Sequence, residues 1–312
     1  MKSLNNKLLD VKNLSVSFKM YDKTLTQNEL EVISDLSVSV NRGEILAIAG
    51  SSGSGKSLLA HAILGLLPSN AIYSGEIKFE GEELTAEKQE ELRGKHIALV
   101  PQSVAFLDPL MKIGNQVIGH KPDDLIKDAK KEIFQRLGLD PSVENLYPFQ
   151  LSGGMARRVL LSTAVIGSAS LIIADEPTPG MQIEQSLEAM KIFRELANEG
   201  RGVILITHDI DLAFSFADKV AVFYAGTTVE VAKSSDFAKG PDMLRHPYSK
   251  ALWQALPQNG FKSIEGTQPY ADRLPKGCLF APRCALRTQL CVKERPEMKT
   301  VRGGEVRCHF AT

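Results

Sequence analysis

Long apolar runs and an excess of either charge are both missing from this chain of 312 residues. Its apolar stretches all fall well short of the roughly 20 residues that a membrane-spanning helix needs. Residues 1–7 are not followed by the apolar core of a signal peptide. Its 37 lysines and arginines match its 37 aspartates and glutamates, so no global basic field favours nucleic acid. We therefore expect a protein kept in the cytoplasm, with no nucleic-acid partner, that reaches a membrane only through another protein.

Cysteine is scarce as well, and its four copies all lie near the end of the sequence. They are Cys278, Cys284, Cys291 and Cys308. In a reducing compartment this clustering favours a metal or cluster site over disulfides. Four thiolates suit one [4Fe–4S] cluster or one tetrahedral Zn²⁺. The absence of closely spaced cysteine pairs, which are usual in structural zinc sites, favours iron–sulfur, and unligated thiols remain the alternative.

A glycine- and serine-rich segment that ends in lysine and serine is the strongest motif present. It consists of Gly50, Ser51, Ser52, Gly53, Ser54, Gly55, Lys56 and Ser57. An apolar run precedes it and a helical pattern follows, which is the strand–loop–helix context of a phosphate-binding loop. Backbone N–H groups and the helix dipole would hold phosphate oxygens. Lys56 would reach the β- and γ-phosphates and Ser57 would bind Mg²⁺, so the sequence predicts an ATP-type nucleotide site.

Two carboxylates follow a second apolar run. Asp175 and Glu176 come directly after residues 171–174, at the predicted carboxyl end of a buried parallel strand, where α/β sheets bind ligands. Asp175 is a candidate Mg²⁺ ligand, and Glu176 is a candidate general base that polarises the attacking water. Two charges at a strand end are commonly only solvated. The phosphate loop upstream favours the catalytic interpretation.

The order of the patterns predicts an α/β protein of the P-loop NTPase class. Alternating short strands at the start indicate an antiparallel β subdomain, and uninterrupted apolar runs indicate central parallel strands of a RecA-like core. Residues 104–165 are expected to form a helical subdomain. Prolines then become frequent, so we place a boundary between a nucleotide-binding domain, residues 1–238, and a small cysteine-containing extension, residues 239–312.

The segment Leu151-Ser152-Gly153-Gly154-Met155 resembles the signature motif of the ABC-transporter ATPases. It lies shortly before the strand that ends in Asp175, as the family requires. The resemblance implies that Ser152, Gly153 and Gly154 close on the γ-phosphate held by an opposite subunit. A hydroxyl and N–H groups at a helix start are physically suited to that anion.

Three further positions match the family. Gln102 resembles the Q-loop glutamine that senses Mg²⁺ and couples to the membrane partner, and His208 resembles the switch histidine that contacts the γ-phosphate. Phe18 resembles the aromatic residue that stacks on adenine, with Tyr21 as its competitor. Taken alone, each of these side chains would equally fit an ordinary structural role.

One position departs from the family pattern. In the ABC-transporter ATPases, the D-loop after the segment Glu176-Pro177-Thr178 usually contains an aspartate. In this chain Gln182 takes its place. The departure favours two unequal composite ATP sites, and hence a heterodimer with a paralogous ATPase subunit. A degenerate, poorly hydrolysing site is the alternative interpretation.

The last part of the chain resembles the tail of the oligopeptide/dipeptide/nickel importer subfamily, on residues 246–252 and 274–284. This resemblance implies an ATPase subunit that lies peripherally on the cytoplasmic face of the cell membrane. Its implied partners are two transmembrane permease subunits and, indirectly, an extracytoplasmic solute-binding protein. Some relatives of this kind carry an iron–sulfur cluster at these cysteines. The cargo stays open between peptides, nickel and a metal chelate.

Overall fold

The computed structural model describes residues 6–21, 27–119 and 124–311. The chain divides into two compact units. The first comprises Met1–Asn41, Leu46–Thr85 and Thr207–Thr312, and the second comprises Arg42–Ile45 and Ala86–Ile206. Each unit contains strands and helices, which confirms the α/β prediction.

The strands are β1 (Lys7–Tyr21), β2 (Gln27–Asn41), β3 (Ile45–Gly50), β4 (Ala71–Phe79), β5 (Glu82–Glu83), β6 (Ile97–Val100), β7 (Leu171–Asp175), β8 (Gly202–Ile206), β9 (Lys219–Tyr224), β10 (Thr227–Lys233), β11 (Lys299–Val301) and β12 (Gly304–Val306). The α-helices are α1 (Lys56–Leu64), α2 (Ala86–Leu92), α3 (Ile113–Ile118), α4 (Asp124–Arg136), α5 (Gly153–Val165), α6 (Ile183–Asn198), α7 (Ile210–Phe216), α8 (Ser234–Ala238), α9 (Pro247–Gln254) and α10 (Gln289–Lys293).

The first unit contains the predicted antiparallel sheet, in the order β2-β1-β4-β5. Two apolar runs of the sequence, around Leu9 and Leu14, lie in the single strand β1, because register shifts absorb the polar residues between them. Asn13 and Asp35 take up positive φ angles at these irregularities, and their side chains hydrogen-bond at 2.5 Å. Such bulges keep the apolar side chains on the buried face.

The same unit holds a second set of strands that carries the phosphate loop. Strand β3 pairs in parallel with β9, and β9 pairs antiparallel with β10. The hairpin β11–β12 then adds to β10, so residues near the end of the chain extend the set of strands that carries this loop. The domain boundary near residue 239 remains a prediction. The pairing of β10 with β12 joins residues on the two sides of it.

A buried cation fixes the start of the cysteine-containing extension. Arg245 is fully buried and forms ion pairs with Glu230 at 3.4 Å and with Asp236 at 2.9 Å. The N–H groups of Arg245 and His246 also donate to the Glu230 carboxylate, at 2.9 and 2.8 Å. Arg245 further donates to the carbonyls of Val301 and Arg302 in the β11–β12 hairpin. Buried charges need such partners, so these contacts hold the extension to β10.

The second unit contains the three parallel strands β6, β7 and β8, paired in the order β6-β7-β8. Strands β7 and β8 are buried along their whole length, as their uninterrupted apolar sequences predict. Helices α3, α4 and α5 surround a separate apolar cluster that includes Ile113, Phe134 and Val159. These three helices lie within the predicted helical stretch, whose bounds, residues 104–165, remain a prediction. None of the helices in the described part of the chain is both long and apolar enough to cross a membrane.

Candidate functional site: the phosphate loop and the carboxylate pair

The phosphate loop joins the buried strand β3 to helix α1, as predicted. A Cβ atom on Gly50 would lie 2.5 Å from the Phe223 carbonyl oxygen and 2.9 Å from Ser54 Oγ, so only glycine fits there. Gly55 has φ 93° and lies against Ile33 of β2. Ser54 is fully buried, and its hydroxyl has no hydrogen-bond partner among the described residues. A buried hydroxyl inside this glycine loop is suited to a phosphate oxygen.

The lysine of the loop turns back over the loop itself. Lys56 Nζ donates to the backbone carbonyl oxygens of Gly50 at 2.9 Å and of Ser51 at 3.0 Å. The side chain is buried, so its charge is already held inside the loop. Ser57 follows at the start of α1 and is half-buried. Lys56 and Ser57 thus occupy the positions at which a triphosphate and its Mg²⁺ would be held.

His208 is exposed and lies beyond the end of β8, in the same unit as the phosphate loop. The N–H of the preceding residue, Thr207, donates to the Ile48 carbonyl of β3 at 3.3 Å. On its other side, Asp209 caps α7 by accepting from the Leu212 N–H at 3.0 Å. His208 is therefore held between β3 and a capped helix, with its imidazole at the surface.

Asp175 and Glu176 lie where the sequence predicts, at the carboxyl end of β7. Their exposed fractions are only 3 % and 8 %. Glu176 has φ 50°, an unusual value for a residue with a side chain, and its N–H donates to the Ile206 carbonyl at 2.9 Å. Strained backbone of this kind is concentrated at functional sites, and nothing in the sequence pattern revealed it.

The signature segment forms the start of α5. Ser152 is exposed, and its Oγ accepts from the Met155 N–H at 3.2 Å as the N-cap of the helix. Gly153 is exposed, and a Cβ atom there would meet no atom within 4 Å. A Cβ atom on Gly154 would lie 2.9 Å from the Gly180 carbonyl oxygen, so this glycine packs on the segment that leads to α6. Gln182 is exposed at the start of α6, and its N–H donates to Gln185 at 3.4 Å.

Arg157, on α5, joins the Q-loop to the carboxylate pair, and sequence reasoning missed it. Gln102 itself is exposed after β6, but its backbone carbonyl accepts from Arg157 Nη1. The same guanidinium nitrogen donates to the carbonyl of Glu176 at 3.3 Å and to that of Pro101 at 3.5 Å. The arginine lies one helical turn after Gly153, and this spacing is the sequence signal that could have revealed it.

The two candidates for the adenine platform differ in exposure. Phe18 is half-buried in β1, where it pairs with Leu30 of β2 and Ala71 of β4. Tyr21, at the end of β1, is 68 % exposed. Both lie on the antiparallel sheet of the unit that holds the phosphate loop, and the choice between them stays a prediction.

The four cysteines converge on one cavity of about 150 Å³ in the extension. Arg245, His246 and Phe280 also line this cavity. Burial raises the pKa of Cys278 to about 11, and it raises the pKa of Cys284 and Cys308 as well. Burial also lowers the pKa of His246 to about 3, so its ring is neutral. Within the described residues, no three His, Cys, Asp or Glu side chains form a group that could hold one metal ion.

Comparison with known proteins decides the family. Residues 33–179 match the family model of ABC transporters, and residues 229–291 match that of the oligopeptide/dipeptide transporter C-terminal region. The oligopeptide transport ATP-binding protein OppD of Haemophilus influenzae is 36 % identical, over 97 % of this chain and 96 % of that protein. OppD of Bacillus subtilis is 34 % identical, over 94 % of this chain and 85 % of that protein. The chain belongs to the ABC transporter ATPases.

Solved structures of ABC ATPases share its fold. The dimeric bacterial ABC transporter cassette MJ0796 covers 72 % of this chain and 98 % of its own, with 25 % identity and a TM-score of 0.64. A post-hydrolysis state of that cassette bound to ADP and Pi gives a TM-score of 0.63 at 25 % identity. The resemblance stated from the signature segment is therefore confirmed, together with the P-loop ABC ATPase fold.

Proposed function

We propose that this ABC ATPase hydrolyses ATP to power an importer of peptides or a related small solute. The observation that carries the proposal is the pair of buried carboxylates after β7, in a chain that also holds a complete phosphate loop and is similar to OppD almost throughout. The names of the relatives, which include the dipeptide transport ATP-binding protein DppD of Haemophilus influenzae, support peptides as the cargo. Nickel or a metal chelate is the alternative.

Each residue of the proposed site has its own role in ATP binding or hydrolysis. Lys56 and the loop N–H groups bind the β- and γ-phosphates, which neutralises charge that develops as the γ-phosphate leaves. If Mg²⁺ binds together with the nucleotide, Ser57, Asp175 and Gln102 would be its candidate ligands, because Mg²⁺ prefers oxygen ligands of the kind that they carry. Glu176 accepts a proton from the attacking water, and His208 contacts the γ-phosphate. The adenine stacks on Phe18.

Hydrolysis requires a second subunit, because the signature residues act on the partner's nucleotide. Ser152 and Gly153 are exposed at the start of α5, which supports this role. Gln182 in place of the usual D-loop aspartate favours a paralogous partner over an identical one. A poorly hydrolysing site in such a heterodimer is the competing function.

The membrane partners dock on the second unit. Val104, Phe106 and Leu110 after the Q-loop, with Phe149 before the signature, are large apolar side chains that remain exposed. Exposed apolar groups of this size mark protein contacts. We assign them to two transmembrane permease subunits, which place this chain peripherally on the cytoplasmic face of the membrane and receive solute from an extracytoplasmic binding protein.

Glu176→Gln tests the function in the assembled transporter. The substitution keeps the side-chain shape and removes the base, so we expect ATP turnover and solute uptake to fall about a hundredfold or more while ATP binding persists. Glu90→Gln, at an exposed position on α2, is the matched control and should behave as the wild type. If Glu176→Gln hydrolyses ATP at the wild-type rate, Glu176 is not the general base. A wild-type complex that binds ATP but does not hydrolyse it would support the poorly hydrolysing alternative.

We also propose that the four cysteines hold a [4Fe–4S] cluster. All four line one cavity, and a cluster binds each thiolate through a separate iron, so the four need not lie close enough to hold one ion. The raised thiol pKa values mean that ligation must displace protons. When bound, the cluster would tie together the separate segments that carry its ligands.

An anaerobic absorption spectrum with iron and sulfide analysis of the full chain tests the cluster. We expect a broad visible band and bound iron that are lost in Cys291→Ser. Stoichiometric zinc, or a metal-free protein after anaerobic purification, would overturn the proposal.

A further inference from the structure

The cysteine-containing extension bonds to the phosphate loop through Gln268. The Ser51 hydroxyl donates to the Gln268 side-chain oxygen, across 217 positions of sequence. Ser51 is the second residue of the loop, and its carbonyl oxygen accepts from Lys56 Nζ at 3.0 Å. Ser51 therefore joins the extension to the lysine of the loop.

The segment that carries Gln268 is held in place. Arg283 donates to the carbonyls of Glu265 at 2.8 Å and Ile264 at 3.0 Å, shortly before Gln268 in the chain. An acceptor on a segment fixed in this way restricts the positions that the Ser51 side chain can adopt.

We propose that Gln268 is a positioning residue for ATP binding: it fixes the first turn of the phosphate loop and so sets how the loop presents Lys56. The role follows from contacts within one compact unit and uses neither the thiols nor the partner subunit. Loosening this turn weakens ATP binding, because the free-energy cost of ordering the loop then reduces the net free energy of binding. Once ATP is saturating, the loop is ordered by the nucleotide and turnover is restored.

The test uses Gln268→Ala in the full-length chain and in the assembled transporter. The change removes one hydrogen bond, so we expect the Kd and KM for Mg·ATP to rise about two- to tenfold. Turnover at saturating ATP should stay within about twofold of the wild type, the split expected for lost binding alone. Gln268 lies in a partly exposed loop, so the variant should fold.

Gln258→Ala is the matched control. Gln258 lies in the same extension, and its side chain bonds to Asp211 of α7 and not to a residue of the phosphate loop. Its removal should leave ATP affinity unchanged. A double-mutant cycle with Ser51→Ala then isolates the contact, since Gln268→Ala should have no further effect once the Ser51 hydroxyl is gone.

Three results would each overturn the proposal. These are ATP affinity in Gln268→Ala equal to the wild type or tighter, an equal loss in Gln258→Ala, and an undiminished effect of Gln268→Ala in the Ser51→Ala background. None of them would question ATP binding itself, which the wild-type titration measures separately.

Discussion

Two glycine- and serine-rich segments each begin a helix in this ABC ATPase, yet they are packed very differently. In the phosphate loop before α1, Ser54 is fully buried and Gly50 is pressed against Phe223. In the signature segment before α5, Ser152 and Gly153 are exposed. Similar residues thus form one site that the chain shapes by itself and one that faces outward. The difference agrees with the proposal that the signature segment acts on the nucleotide of a partner subunit.

Lys56→Ala should give the largest effect, because it acts on the site that the chain completes alone. The lysine charge meets the phosphates directly, so we expect turnover to fall about a hundredfold or more, together with weaker ATP binding by the isolated chain. Titration of the purified chain with Mg·ATP and ATPase assays of the complex measure the two effects. Unchanged affinity in the isolated chain would break the distinction between the two segments.

Ser152→Asp should affect only the assembled transporter. Aspartate caps a helix as well as serine does, so the stability of the isolated chain and its ATP affinity should be preserved. A carboxylate facing the partner's γ-phosphate repels it, and we expect turnover in the complex to fall about a hundredfold. Ser152→Ala is the control, which should lose about 1 kcal/mol of stability through the missing cap. Normal turnover in Ser152→Asp would exclude the signature from the composite site.

Arg157→Lys should have a smaller effect. Arg157 bonds to the carbonyls of Gln102 and Glu176, and lysine cannot reproduce the fixed geometry of its guanidinium. Misplacement of the base should lower turnover about tenfold, with ATP affinity unchanged. The measurement is steady-state ATPase activity of the complex. Activity equal to the wild type would show that Arg157 only supports the fold.

Local pattern was enough to predict the strands and helices that carry the site. The apolar run before Gly50 and the run before Asp175 form the buried strands β3 and β7. The helical pattern that follows the phosphate loop forms α1, Lys56–Leu64. These features depend on neighbours in sequence, which composition and periodicity record.

The long-range contacts of the site could not be predicted from local sequence patterns. The bond between Ser51 and Gln268 joins residues 217 positions apart, and no periodicity records it. The positive φ of Glu176 depends on its bond to β8, and the reach of Arg157 depends on where α5 lies beside the ends of β6 and β7. Tertiary packing decides each of these, so the structure was needed to reveal them.

The buried Arg245 has a practical consequence for experiments on the extension. A chain that ends at residue 238 would lack Arg245, so the buried carboxylate of Glu230 would lose its cationic partner. It would also lack β12, which pairs with the edge of β10. Both losses damage the region that holds the phosphate loop, through an unneutralised interior charge and an open strand edge. Deleting the extension would therefore report on misfolding, and only single substitutions can show what its cysteines and polar side chains do.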